Sequence, residues 1–297
     1  MPLSHGLMAL AVALIWGFNF VVIKVGVDTM PPLLLCALRF AFAAFPAVFL
    51  VPRPQASWRS LGAFGFTLGV VKFGLLFSAI ALGMPAGLAS LVMQSQAFFT
   101  ILFAFALLGE RPASHQVAGG LIACLGLVLI AWPRIGGGDA VPFLMTVAAA
   151  AMWGVANIVA KRAGRIDMLG FVVWASLVPP LPLLALSLLI DGPQEVAAAF
   201  TGFDLTSAAA VAYLAYPTTV LAFAIWGFLL ARHPAATVTP FSLLVPVAGL
   251  LSASLFLGET ILPIEAAGGG IIVAGLAVTV LGGRFVQRMW PTPPAVP

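Results

Sequence analysis

The sequence predicts an all-α integral membrane protein whose ten transmembrane helices form two inverted five-helix repeats. Three observations carry this prediction. First, 62% of the 297 residues are hydrophobic and only 7% are charged, whereas a soluble domain carries about 25% charged residues to meet water. Second, a helix needs roughly 20 apolar residues to cross the hydrocarbon core, and ten such stretches occur, near 6–27, 32–51, 60–82, 86–108, 114–132, 141–161, 168–190, 205–230, 236–257 and 264–284. Third, the second half of the chain repeats motifs of the first.

The elements follow in order. The run at 6–27 has no Lys or Arg before it and is long, so it reads as a retained first helix rather than a signal peptide. It contains "WGFNFVVIK", which places Asn19 in an apolar run. The second run holds Arg39 and Pro46, and the third holds Lys72 with Gly65 and Gly69 spaced for close helix packing. The fourth carries Gln94-Ser95-Gln96 and ends on Leu108-Gly109-Glu110, and the fifth contains Gly119-Gly120 and Gly126. The sixth contains "WGVANIVAK", which matches residues 16–24 at Trp, Gly and Lys. Val178-Pro179-Pro180-Leu181-Pro182 must distort the seventh, because each Pro removes a backbone donor. Pro217 falls in the eighth run, and Pro240 and Pro246 in the ninth, which ends on Leu257-Gly258-Glu259. The tenth contains Gly268-Gly269 and Gly275, and residues 286–297 read as a disordered cytoplasmic tail. Transmembrane β-strands would alternate in segments of about ten residues; these runs are longer and apolar on all sides.

The repeat is ungapped over its clearest part. Residues 85–126 fall on 234–275 at a shift of 149, aligning Pro85-Ala86 with Pro234-Ala235, Glu110 with Glu259 and Gly126 with Gly275. The Trp-Gly…Lys match lies at a shift of 137, and the difference of 12 belongs to longer loops in the second half, such as 191–204. The units are therefore 1–134 and 135–285. Each holds an odd number of crossings, so the second enters the membrane inverted. Secondary transporters use this symmetry around a central substrate site.

Charge sets the orientation. With the N-terminus inside, nine of the thirteen basic residues fall on the cytoplasmic side, and Lys24 and Arg134 fall outside. Both termini are then cytoplasmic. The basic pI thus marks topology, not nucleic-acid binding.

Polar residues within the runs mark a pathway. Each amide in hydrocarbon needs a partner or a water-filled cavity, so Asn19 and Asn157 hold a substrate or each other, or serve as inter-helix glue. Trp153, Asn157 and Lys161 share one helical face. Arg39 and Lys72 are placed where a charge costs at least about 2.5 kcal/mol. No acidic residue lies deep in any run, so a ligand carboxylate or helix-break carbonyls are their candidate partners. Gln94 and Gln96 point to nearly opposite faces, and either can meet a ligand or a neighbouring helix; Gln94 is the one placed among the pathway candidates. Trp16, Trp153, Phe73, Phe77, Tyr213, Tyr216 and Trp226 are candidate walls of the pocket, with core packing as the alternative. Lys24 and Lys161 read as snorkelling anchors. Cys36 and Cys124 read as packing residues, and no cofactor or metal site is expected.

The segments "WGFNFVVIK", "MPPLLLCALRF", "GMPAGLASLV" and "LLGE", with the five-plus-five repeat, resemble the EamA-type exporters of the drug/metabolite transporter superfamily. The likeness runs to about residue 285 and is greatest to the cysteine and O-acetylserine branch, more distant to aromatic amino-acid exporters. One departure is Ala97, where the usual pattern has Pro; Pro246 retains it in the second half. The resemblance implies an inner-membrane protein that exports amino acids and related small metabolites. A drug or sugar-nucleotide carrier of the same fold is the nearer alternative. An intramembrane enzyme is the distant one: Gly136-Gly137-Gly138-Asp139 matches a GxGD pattern, but acid–base work there needs a second embedded Asp.

Overall fold

The computed structural model describes residues 1–135, 140–164 and 166–289. The Gly136–Asp139 motif, Arg165 and residues 290–297 lie outside them. Among the described residues ten helical segments are long and apolar enough to cross a membrane: Leu3–Val27, Pro32–Leu50, Trp58–Ala81, Ala86–Leu108, Ser114–Pro133, Ala140–Arg162, Met168–Ile190, Leu205–Arg232, Thr239–Leu257 and Pro263–Gly282. They are called the first to tenth spans below. Residues 5 and 233 meet at one end of the bundle, through His5 Nδ1 and His233 Nε2 at 2.7 Å. This is the near end, and the opposite end is the far end. The last helix continues to Met289, past the expected boundary at residue 285. The stretch 191–204, expected as loop, contains the helix Pro193–Thr201. Pro193 is pre-set for a first helical position, and Glu195 sits in the first turn, where the positive end of the dipole favours it.

The spans bend where their sequences remove backbone donors. The second breaks at Phe45-Pro46, between Pro32–Ala44 and Ala47–Leu50. The seventh breaks between Met168–Ala175 and Pro180–Ile190, at the expected proline cluster. The third span fills that break: Gly65 lies against the Ala175 carbonyl and Val178, and Gly69 against Pro179. Any Cβ there would collide, so the Gly65/Gly69 pair does serve close helix packing. The eighth span widens into a π-helical segment, Tyr216–Leu221, around Pro217, which has no N–H to give to the preceding turn.

The two halves match in detail. At the 149-residue shift, the π-helical segment Gly65–Phe73 of the third span covers the position of Tyr216–Leu221 in the eighth. Gly109 and Gly258 both adopt the left-handed conformation, φ 68° and 67°. Glu110 N then donates to Ala104 O at 3.3 Å, and Glu259 N to the equivalent Ala253 O at 3.4 Å. The fifth and tenth spans cross at glycines in swapped pairs: Gly119 meets Gly275 and Thr279, while Gly268 meets Gly126 and Ile130. These contacts exchange when the halves are exchanged, which is the signature of a two-fold relation between repeats.

Candidate functional site

The core brings polar side chains of four spans together. Arg39 is 2% exposed and Lys72 3%. The Arg39 guanidinium lies over Phe73, 3.9 Å from the ring centroid, with Phe40 and Phe77 further out. Its Nη2 donates to Thr219 Oγ1 at 3.2 Å. Lys72 Nζ sits between the rings of Phe73, at 3.2 Å, and Trp153, at 4.4 Å. Aromatic faces attract cations, but they do not neutralise them. Among the described residues neither cation has a carboxylate partner.

The π-helical segments place these groups. Such segments recur at functional sites because the extra residue per turn re-aims side chains and frees carbonyls. Lys72 and Phe73 close the segment in the third span. Thr218 and Thr219 lie inside the one in the eighth. Thr219 Oγ1 accepts from Arg39 and donates to Leu214 O at 2.9 Å, so one hydroxyl joins the second span to the eighth. Trp16 Nε1 donates to Thr218 O at 3.2 Å and packs against Phe223 and Trp226. Gly17, next along, lets the first span close onto Ala248 and Gly249 of the ninth.

Asn157, one turn beyond Trp153, donates to Gln96 Oε1 and Thr100 Oγ1, both at 3.0 Å. It bonds the fourth span, not Asn19. The sequence argument favoured Gln94 of the two glutamines; Gln94 is buried in the short 3-10 turn Met93–Ser95, and Gln96 is the one that meets Asn157. Lys161, on the same face, reaches Glu110 at 2.5 Å, and Lys24 reaches Asp28, so both lysines form ion pairs at the span ends where simple anchors were expected. Tyr213 gives its hydroxyl to Ile15 O at 3.0 Å and meets Phe18 edge to face, which places it between the first and eighth spans, apart from the cation cluster. Phe77 is fully buried at the edge of that cluster.

Among the described residues four buried side-chain polar atoms have no hydrogen-bond partner: Asn19 Oδ1, Arg39 Nε, Arg39 Nη1 and Thr218 Oγ1. Leaving a buried polar atom unpaired costs about 1–3 kcal/mol, more when charged. Two donors on a cation and two neutral acceptors suit a ligand with a carboxylate and a donor group. Thr218, Thr219 and Thr100 are polar partners that the sequence reading does not reach, whereas Gln96 is one of its two candidate glutamines. Hydroxyls in apolar runs are common and give no sequence signal; Pro217 beside the two threonines is the one available clue. Among the described residues no group of three His, Cys, Asp or Glu could hold a metal.

Known proteins resemble this chain along its length. The model of the EamA-like transporter family matches residues 4–132 and again 141–281. A Salmonella typhimurium protein named "Probable amino-acid metabolite efflux pump" is 43% identical over 290 residues, covering 96% of this chain and 97% of that protein. An Escherichia coli protein of the same name is 40% identical over 291 residues, covering 96% and 97%. A solved crystal structure superposes with a TM-score of 0.62 at 24% identity, over 97% of this chain and all of that one, and so shares the fold.

Proposed function

The chain belongs to the EamA-like transporter family, and from that premise we propose that it exports amino acids and related small metabolites by alternating access, through a substrate site between its repeats near the membrane midplane. As a member of a transporter family it is a multi-pass membrane transporter and not an enzyme. The separate family matches to each half support repeats at 1–134 and 135–285. The cargo reading is supported by the two relatives named as amino-acid metabolite efflux pumps. The excess of Lys and Arg supports a cytoplasmic near end, which carries both termini.

One observation carries the site: two almost fully buried cations, Arg39 and Lys72, with no carboxylate partner among the described residues. The substrate carboxylate completes them. Asn19 Oδ1 and Thr218 Oγ1 accept from its ammonium, and Trp16, Phe73, Trp153 and Trp226 wall its side chain. Binding need only be weak, since a millimolar site is worth about 4 kcal/mol. Among the described residues the cluster offers no Asp or Glu of the kind proton-coupled carriers use, which favours facilitated export or coupling without a buried carboxylate.

The test is flux in proteoliposomes across a panel of amino acids, with Lys72→Gln and Arg39→Gln beside the wild type. At least tenfold loss in both variants, about 1.4 kcal/mol, is the expected result. Full flux in both variants for every transported amino acid would remove the site from this cluster.

A further inference from the structure

At the far end a carboxylate joins two spans. Glu259, just beyond the ninth span, accepts from Ala86 N at 2.7 Å and Gly87 N at 2.9 Å. These are the first donors of the fourth span, which no intrahelical carbonyl can satisfy, and a carboxylate is the strong partner for them. The clasp ties the loop between the ninth and tenth spans to the start of the fourth. Beneath it Gly87 rests on Ala253 and Leu250, and Gly249 on Ser90. The fourth span is buried throughout Ala86–Val92, whereas no residue of its near-end half, Gln96–Leu108, is buried.

The repeat supplies a second clasp in mirror image. At the 149-residue shift Glu259 becomes Glu110, and Pro85-Ala86 becomes Pro234-Ala235, where the short helix Ala235–Val238 leads into the ninth span. The two glutamates follow matched left-handed glycines and share the same backbone bond, so they leave their helices in the same way. Glu110 is nevertheless held elsewhere. It pairs with Lys161, and the neighbouring Arg162 donates to Leu107 O at 3.0 Å, so the near-end half of the fourth span lies on the sixth.

We infer that Glu259 and Glu110 are exchanging clasps that close the two ends in turn. In the state seen here Glu259 caps the fourth span and shuts the far end, and Lys161 holds Glu110 away. In the opposite state Glu110 leaves Lys161, caps the ninth span at residues 235–236 and shuts the near end, while Glu259 releases Ala86 and Gly87. A ligand-independent energy difference between the clasps sets the resting population. The inference rests on the alternating-access reading above and adds the residues that perform it.

The experiment is double electron–electron resonance on the full chain in nanodiscs, with Cys36→Ala and Cys124→Ser and spin labels at exposed positions. One pair, at 82 and 262, reports the far end; another, at 111 and 234, reports the near end. Three substitutions are then compared: Glu259→Gln, Glu110→Gln and Lys161→Gln. Glu259→Gln and Lys161→Gln are expected to raise the population with a long far-end and short near-end distance about tenfold, and Glu110→Gln to lower it by a similar factor. Opposite signs at Glu110 and Lys161 are the decisive mark, since loss of a merely structural ion pair gives the same sign for both. Equal signs, or distances that ignore all three substitutions, overturn the clasps. Flux on the same samples separates the two readings. Exchange of distances as expected without amino-acid transport supports the clasps and refutes the cargo. Transport with unresponsive distances refutes the clasps and leaves the cargo reading intact.

Discussion

Gly126 of the fifth span sits against the carbonyl of Gly268 in the tenth, and its repeat equivalent Gly275 sits against the carbonyl of Gly119, the equivalent of Gly268. The same contact is thus made twice with the partners interchanged. Here the two halves are locked together, and no side chain fits at either crossing.

From this crossing follows the first prediction. A Cβ at Gly126 would meet the Gly268 carbonyl and the Ile272 backbone, which cannot move aside as a side-chain tip can. Gly126→Leu is expected to destabilise the protein by about 1–3 kcal/mol through overpacking. Gly120→Ala, whose new Cβ would stand 3.6 Å from Phe98, is expected to leave stability near that of the parent. Thermal unfolding in detergent compares the two.

Burial of Arg39 separates stability from transport. Its charge is almost fully withdrawn from solvent, and Nε and Nη1 have no partner. Replacing an uncompensated buried charge by an apolar side chain of similar length removes a cost of at least about 2.5 kcal/mol. Arg39→Met is therefore expected to melt at or above the wild-type temperature while losing at least tenfold in flux, about 1.4 kcal/mol. A variant that loses both stability and flux would assign Arg39 to scaffolding.

Asn157 is expected to behave differently. Its amide satisfies both Gln96 and Thr100, so Asn157→Leu leaves two acceptors without their donor. A loss of about 1–3 kcal/mol in unfolding free energy is expected. Wild-type stability in a denaturation series would contradict the bond.

The His5–His233 contact gives the near end a pH response. Desolvation, with His5, the N-terminus and Arg232 nearby, holds the His233 pKa below its ordinary 6.5. The folded state therefore takes up its proton less readily than the unfolded state. Stability from this contact is present above pH 6.5 and is lost as pH falls through the lowered folded-state value. Melting temperature measured from pH 8 down to about 5 should fall more in the wild type than in His233→Gln. Parallel curves would show that the pair does not titrate in this way.

The fold was legible in the sequence because lipid imposes a simple demand. Each crossing needs a long apolar run, and the runs bounded the spans to within a few residues; Ala86–Leu108 and Met168–Ile190 coincide with their expected limits. The repeat was legible because Leu-Gly-Glu sits at a helix end that requires a left-handed glycine. The site was legible only through its charges. Arg39 and Lys72 stand out in apolar runs, but the direction of Lys72, and of Thr219 that receives Arg39, depends on π-helical turns that no periodicity reveals. That Gln96 rather than Gln94 meets Asn157 was hidden for the same reason, since Gln94 lies in a 3-10 turn and Gln96 opens the regular helix after it. Ion pairing of Lys161 depends on Glu110, 51 residues away, and was not visible locally.

The most direct measurement is counterflow of a transported amino acid against its own carboxyl-amidated analogue, in the wild type and in an Arg39→Gln, Lys72→Gln double variant. If the buried cations receive the substrate carboxylate, the wild type exchanges the free acid at least tenfold faster than the amide, about 1.4 kcal/mol, and the double variant loses that preference. Equal exchange of acid and amide by the wild type would contradict the account at its centre.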